Sequence, residues 1–136
     1  MASLPRSDPK ALILNLHEIE ERAGPSVATL RERDPRELLQ TDVQVSQIWL
    51  SILAQIDLTR DGIGKRLGAS AMKAMVYASE QADISMERVM EISLSKISGR
   101  SVSVPPEEKH KLAVVGLWSV RAQAQVLRME LQKKKD

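Results

Sequence analysis

The stretch from residue 43 to residue 58 is the most apolar run in the chain. The apolar residues there recur at intervals of three and four, which is typical of a helix with one buried face. Glutamine and serine fill the opposite face without any charge, which favours a helix with neighbours on several sides. The predicted buried stripe consists of Val45, Ile48, Trp49, Ile52, Leu53 and Ile56. The pattern therefore predicts a core helix of an all-α protein.

Capping and breaking residues divide the rest of the chain into further helices. Asp8-Pro9, Asp34-Pro35 and Pro105-Pro106 suit helix starts, because proline fits the first helical position and a preceding aspartate can cap free amides. Gly24 and Gly99 suit helix ends, since glycine readily adopts the left-handed conformation that closes many helices. These positions predict helices on both sides of the core helix.

The whole chain, residues 1–136, is predicted to form one helical domain with flexible ends at residues 1–7 and 133–136. We expect a compact bundle of five to seven helices with a long C-terminal helix. The helix that starts at Asp34 either continues into the core helix or restarts at Thr41-Asp42. In the helix before Gly99, the predicted buried stripe is Met86, Val89 and Met90, with Leu94 and Ile97 as further members.

The last predicted helix carries apolar residues along two nearly opposite sides. One stripe is Ala113, Leu117, Val120, Ala124, Leu127 and Leu131; the other is Leu112, Val115, Ser119, Ala122, Val126 and Met129. One of them can pack on the core helix, and the other then needs a cover of its own. Either the helix is fully internal, as is common in protein cores, or one stripe binds a second copy or another protein. We favour the second interpretation because a small bundle rarely encloses a helix completely. The predicted interface residues are Leu117, Val120, Ala124, Leu127 and Leu131.

Composition narrows the chemistry further. The chain has no cysteine, which excludes disulfides and thiolate metal sites, and its net charge of +2 does not demand a nucleic-acid partner. No apolar run reaches the roughly 20 residues that span a bilayer, and no signal peptide is evident at the N-terminus. We therefore expect a cytoplasmic location and no membrane partner.

One segment, Ile63–Ala74, resembles the helix-turn-helix pattern of DNA-binding regulators: apolar, small, two polar, leucine, glycine, apolar, serine. In that motif the glycine makes the turn and the serine opens the recognition helix. The resemblance implies that the chain is a small DNA-binding transcriptional regulator using residues 62–82. It places Lys65 and Arg66 near phosphates. Ser70 and Lys73 would then face the major groove. The other interpretation is a junction of helices packed tightly through glycine and alanine.

Metal and catalytic chemistry have little support in the sequence. Glu107 and His110 form one Glu-x-x-His step, whereas di-iron bundles use that step twice with further glutamates. Glu107 also lies in a first helical turn, where a carboxylate complements the helix dipole. The remaining histidine, His17, has no serine or aspartate partner by spacing. We predict no metal, no cofactor and no enzymatic activity.

The function predicted from the sequence is that of a non-catalytic helical interaction protein. It would associate with itself or dock on a protein partner through an apolar face of the C-terminal helix, and a homo-oligomer with a regulatory role fits this class. DNA binding through residues 62–82 is the alternative.

Overall fold

The computed structural model describes residues 9–134, which fold into six α-helices and one short 3-10 turn. The helices are α1 Pro9–Ala23, α2 Val27–Glu32, α3 Pro35–Leu53, α4 Ile63–Gln81, α5 Met86–Ser98 and α6 Pro106–Lys134. The predicted all-α bundle with a long C-terminal helix is confirmed. Residues 1–7 and the last two positions, which were predicted to be flexible, lie outside the described residues. Lys133 and Lys134, also predicted to be flexible, belong to α6.

The helix starts and ends follow the capping residues. The Asp34 carboxylate accepts a hydrogen bond from the Arg36 amide at 2.9 Å, and the Ser85 hydroxyl caps α5 in the same way. Gly24 and Gly99 end α1 and α5 with φ angles of +85° and +76°, which side chains with a Cβ adopt only at a cost. Local sequence therefore determines where these helices stop.

The core helix differs from the prediction at both of its ends. It runs without a break from Pro35 across Thr41-Asp42, and it ends at Leu53 instead of reaching residue 58. Beyond Leu53 the chain tightens, because the Gln55 and Ile56 amides bond to carbonyls only three residues back. The predicted buried residues Val45, Trp49 and Ile52 all lie in the core.

The axis of the bundle is α6, and α1, α3 and α4 pack around it. Its most extensive contact is with α4, which runs antiparallel to it: Arg66 pairs with Glu130 at one end, and Lys111 bonds to the Asp83 carbonyl at the other. Ile63 and Leu67 fill the core at the start of α4, whereas alanines face it in the second half of α4 and at its C-cap, which lets the two helix axes approach closely there. These alanines are Ala74, Ala78 and the C-cap residue Ala82.

In this fold the chain itself covers most of the predicted interface on α6. Between His110 and Arg128 every side chain of α6 is buried or half-buried. Leu117, Ala124 and Leu127 have no exposed surface, while Val120 and Leu131 are half-buried and pack against the core. Three long helices, α1, α3 and α4, thus cover α6 over most of its length, which favours the internal interpretation.

Candidate docking groove

An open groove of about 360 Å³ lies between α3 and α5, and α6 forms its floor. Leu39 and Asp42 line it from α3, and Ser93 and Lys96 line it from α5. Leu112 and Gly116 of α6 lie at its base. The groove is therefore the place where the surrounding helices leave α6 uncovered.

The groove stays open because α5 is held by one end and one narrow face. Near its N-terminus, Arg88 donates two hydrogen bonds to Glu108 of α6, at 2.9 and 2.7 Å, and another to the Ser103 carbonyl at 2.9 Å. The hydrogen bonds from Arg88 lower the pKa of Glu108 and keep the pair charged. Only Val89 and Ile92 among the apolar residues of α5 are buried. The helix is thus anchored without packing closely on α3.

Asp42 places a partly desolvated carboxylate in this groove. A Cβ added to Gly116 would lie 3.9 Å from Asp42 Oδ1, so the carboxylate sits directly over the α6 backbone. Burial raises the pKa of Asp42, and the positive charge of Lys96 offsets this only in part. No residue between positions 9 and 133 donates a hydrogen bond to it. A cation or hydrogen-bond donor from outside would stabilise the ionised form.

Exposed apolar side chains lie on both of the helices that form the walls of the groove, and one of them, Leu39, lines the groove itself. On α5 they are Met90, Leu94 and Ile97, which are 40%, 53% and 83% exposed and share one face at spacings of four and three. On α3 they are Leu39 and Val43. We call these five residues, together with Asp42, the α3–α5 surface. Large exposed apolar side chains gathered on the two walls of one groove are typical of a site of interaction.

The apolar pattern of α5 predicted a buried stripe on a different face of the helix, so this surface was not expected. The buried residues are Val89, Ile92 and Ser95, and Met86 is half-buried. Met90, Leu94 and Ile97 instead face away from the bundle. A short helix on the outside of a bundle needs only one buried row of apolar residues. The second apolar row of α5 was therefore the signal that some of its apolar side chains are exposed.

The predicted helix-turn-helix is not formed. Residues 63–81 make one continuous helix, and Gly68, the predicted turn glycine, is helical. The many alanines of α4 favour unbroken helix over a turn. Lys65, Arg66 and Lys73 are exposed and Ser70 is half-buried. Of these, Arg66 pairs with Glu130 at 2.9 Å and donates to the Asp61 carbonyl at 2.6 Å.

The two histidines lie far apart in the fold. His110 Nε2 is 3.3 Å from the Arg33 carbonyl at the end of α2, and His17 lies on the exposed side of α1. Across residues 9–134 there is no cluster of three or more histidine, aspartate or glutamate side chains that could hold a metal ion. Within the same part of the chain, no helix is both long enough and apolar enough to cross a bilayer.

A second polar feature lies on the opposite flank of α6. The Arg121 guanidinium stacks on the Trp118 ring at 4.5 Å from its centroid, and Tyr77 of α4 lies 6.4 Å from the same ring. The Arg121 Nε atom is buried and has no hydrogen-bond partner among the described residues. Glu20 and other residues of α1 border Arg121 on this side, so the cluster joins α1, α4 and α6.

No protein-family model, no curated protein and no solved structure matches this chain.

Proposed function

We propose that this chain is a non-catalytic helical interaction protein that docks another protein on the α3–α5 surface. The observation that carries the proposal is an open groove that holds a partly buried carboxylate, with exposed apolar side chains on the two helices that form its walls. Apolar side chains at Leu94 and Ile97 gain nothing from water, and Asp42 lacks a donor within the described fold. A bound partner would satisfy both.

The shape of the surface suits a helix as the docked element. The thirteen residues of α5 extend for about 20 Å, which matches a partner helix of three to four turns. Recognition would then use apolar anchors at intervals of three and four along the partner, the usual mode for a helix in a groove. A basic side chain among those anchors would meet Asp42. The proposal sets this interaction in the cytoplasm, and regulation of the docked protein is a role that fits it.

Site-specific photo-crosslinking in the cells that make the protein tests the proposal. A photoreactive amino acid replaces Ser93, which is exposed at the groove, and in a matched control it replaces Ala28, which is exposed on α2. Position 93 should give a defined adduct, identified by mass spectrometry, and position 28 should not. The adduct should disappear when Ile97 is changed to aspartate. An absence of adducts at position 93, or adducts that Ile97→Asp leaves unchanged, would refute docking on this surface.

A further inference from the structure

We infer that the inside of the groove between α3 and α5 binds a small zwitterion with an apolar side chain, the chemistry of a free apolar amino acid. The ammonium group of the ligand would lie at Asp42, its carboxylate at Lys96, and its side chain along the apolar floor. This inference goes beyond the docking of a protein, because it concerns the interior of the groove. The ligand would occupy the acceptor that a docked protein also uses, so its binding would oppose docking.

The groove has the size and the lining of a site for a small molecule. Its volume of about 360 Å³ lies at the lower end of the roughly 300–1,000 Å³ that such sites occupy. Apolar side chains from three helices and from the segment before α6 line most of it, among them Leu39, Val104 and Leu112. A mostly apolar cleft on which a few polar groups converge is the usual composition of a ligand site.

Two opposite charges face the groove from its two walls. Asp42 lines it from α3 and Lys96 lines it from α5. Burial raises the pKa of Asp42, and the positive charge of Lys96 offsets part of that rise across the groove. The two side chains nevertheless form no ion pair in the part of the chain that the structure describes. A ligand that carries both charges would close this gap, with its ammonium donating to Asp42 and its carboxylate accepting from Lys96.

The charges of the groove favour a zwitterion over simpler ligands. Lys109 of α6 lines the groove as well, so two ammonium groups accompany one carboxylate. A ligand with only an ammonium group would satisfy Asp42 but would meet two positive charges. A ligand with only a carboxylate would approach the partly desolvated charge of Asp42. Of these three classes, the zwitterion alone offers an opposite charge to both Asp42 and Lys96.

Gly116 leaves space in the floor of the groove that the protein itself does not use. This glycine lies in the interior of α6, where alanine would be more stable. A Cβ at this position would meet no atom of the packed chain nearer than Asp42 Oδ1, at 3.9 Å, so packing does not require a glycine here. Glycine suits places where a ligand approaches the backbone closely. The free space lies beside the carboxylate, where the ammonium group of the ligand is placed.

An NMR titration of the purified, isotope-labelled chain with L-leucine tests the inference. Two analogues divide the ligand: isopentylamine lacks its carboxylate, and isocaproate lacks its ammonium group. L-leucine should shift the amide signals of residues that line the groove, and it should bind about tenfold tighter than either analogue, since each lacks one charged hydrogen bond. An amine that binds as tightly as L-leucine would overturn the zwitterion. So would a groove that shows no shift with leucine, methionine or phenylalanine at about 10 mM.

Two substitutions assign the two charges. Asp42→Asn should weaken the binding of L-leucine and isopentylamine about tenfold and leave isocaproate unaffected. Lys96→Gln should weaken L-leucine and isocaproate and leave isopentylamine unaffected. The matched controls are Asp57→Asn and Lys73→Gln, which change exposed charges outside the groove and should leave the affinity for L-leucine unchanged. Losses that do not follow this pattern would show that the two side chains do not hold the ligand in the inferred way.

Gly116→Ala gives a result that a purely structural glycine would not give. It should raise the melting temperature by a few degrees, as an alanine in a helix interior does, and it should weaken L-leucine about tenfold by filling the floor of the groove. Gly68→Ala, on the exposed side of α4, should raise the melting temperature alone. A Gly116→Ala chain that binds L-leucine like the wild type would remove the ligand from this floor.

The inference and the proposed docking can fail separately. If L-leucine binds in the groove while position 93 gives no adduct in cells, the ligand site stands and the docking function is refuted. If position 93 crosslinks a protein while the groove ignores all three amino acids, the docking function stands and the ligand site is refuted.

Discussion

Arg128 of α6 binds Glu20 of α1 through two hydrogen bonds, Nε to Oε2 at 2.7 Å and Nη2 to Oε1 at 3.2 Å. The two residues are 108 positions apart in the sequence, and both side chains are mostly buried. Burial alone would raise the pKa of Glu20, but the hydrogen bonds and charge of Arg128 outweigh it and lower the pKa below its ordinary value of 4.5. The pair thus fixes the first helix to the central one.

Replacing Glu20 with glutamine should lower the free energy of unfolding at neutral pH by about 1–2 kcal/mol, because a charged two-point hydrogen bond is lost. A lowered pKa in the folded state stabilises the fold above the ordinary value of 4.5, and this contribution is lost as the pH falls through the lowered pKa. Urea unfolding at neutral pH and at about pH 3 should therefore show a difference between wild type and variant that shrinks in acid.

The exposed pair Glu18–Arg22, at 2.9 Å on α1 alone, is the control for this comparison. Glu18→Gln should change the stability by less than about 0.5 kcal/mol, since solvent screens such pairs. Equal losses for Glu18→Gln and Glu20→Gln would show that the contact between α1 and α6 contributes nothing specific.

Leu127 tests whether α6 is internal in solution. Because Leu127 is fully buried, Leu127→Ala should cost about 2–5 kcal/mol by leaving a cavity. Met129 lies two positions further on and is 55% exposed, so Met129→Ala should stay within about 0.5 kcal/mol of the wild type. Chemical denaturation measures both. A folded Leu127→Ala chain of unchanged stability and altered oligomeric state would instead return this residue to an interface.

The bundle could be predicted from local patterns, whereas the role of each helix face could not. Capping at Asp34 and the glycines Gly24 and Gly99 act within a few residues of chain, so their effects are readable from the sequence. The position of α6 at the centre depends on contacts such as that between Arg128 and Glu20, which join distant segments. The two apolar stripes of α6 were recognised correctly, but periodicity does not say which chain covers them.

The candidate site was harder to predict for a related reason. Met90 and Leu94 lie on one side of α5, and Val89 and Ile92 lie on another. Either row could have faced the core. Arg88 decides between them, because its hydrogen bonds to Glu108 orient α5 on the bundle. That choice depends on a residue twenty positions away and on the path of the chain between α5 and α6.

Substitution of Gly68 distinguishes a continuous α4 from a helix-turn-helix. In the continuous helix a Cβ on Gly68 meets no atom from elsewhere in the chain within 4 Å, so Gly68→Ala should stabilise the protein by about 0.5–1 kcal/mol. Gly99→Ala is the contrast, because the φ of Gly99 is +76° and a Cβ there costs about 1 kcal/mol or more. Thermal unfolding reports both signs. A destabilised Gly68→Ala chain would point back to a turn at this position.

The substitution Asp42→Asn distinguishes a purely structural role of this carboxylate from a role in docking, because it should raise the stability of the protein but lower its binding of a partner. Burial raises the pKa of this carboxyl above its ordinary 3.8, with Lys96 offsetting only part of the rise, so the ionised form costs stability in the fold. The cost is present above the raised pKa and disappears as the pH falls towards 3.8. Asp42→Asn should therefore raise the urea midpoint at neutral pH, and this gain should vanish in acid.

Asp57 provides the matched control, since hydrogen bonds from Thr59 lower the pKa of this exposed carboxyl and Asp57→Asn should lower the urea midpoint instead. Asp42→Asn should have the opposite effect on docking: it should weaken binding, because a cationic group of the partner would lose its charged acceptor. The yield of the Ser93 crosslink should then fall in the Asp42→Asn chain although the protein itself is more stable. Such a gain in stability with a loss of binding is expected of a functional residue and not of a structural one. An unchanged crosslink yield would show that Asp42 plays no part in docking.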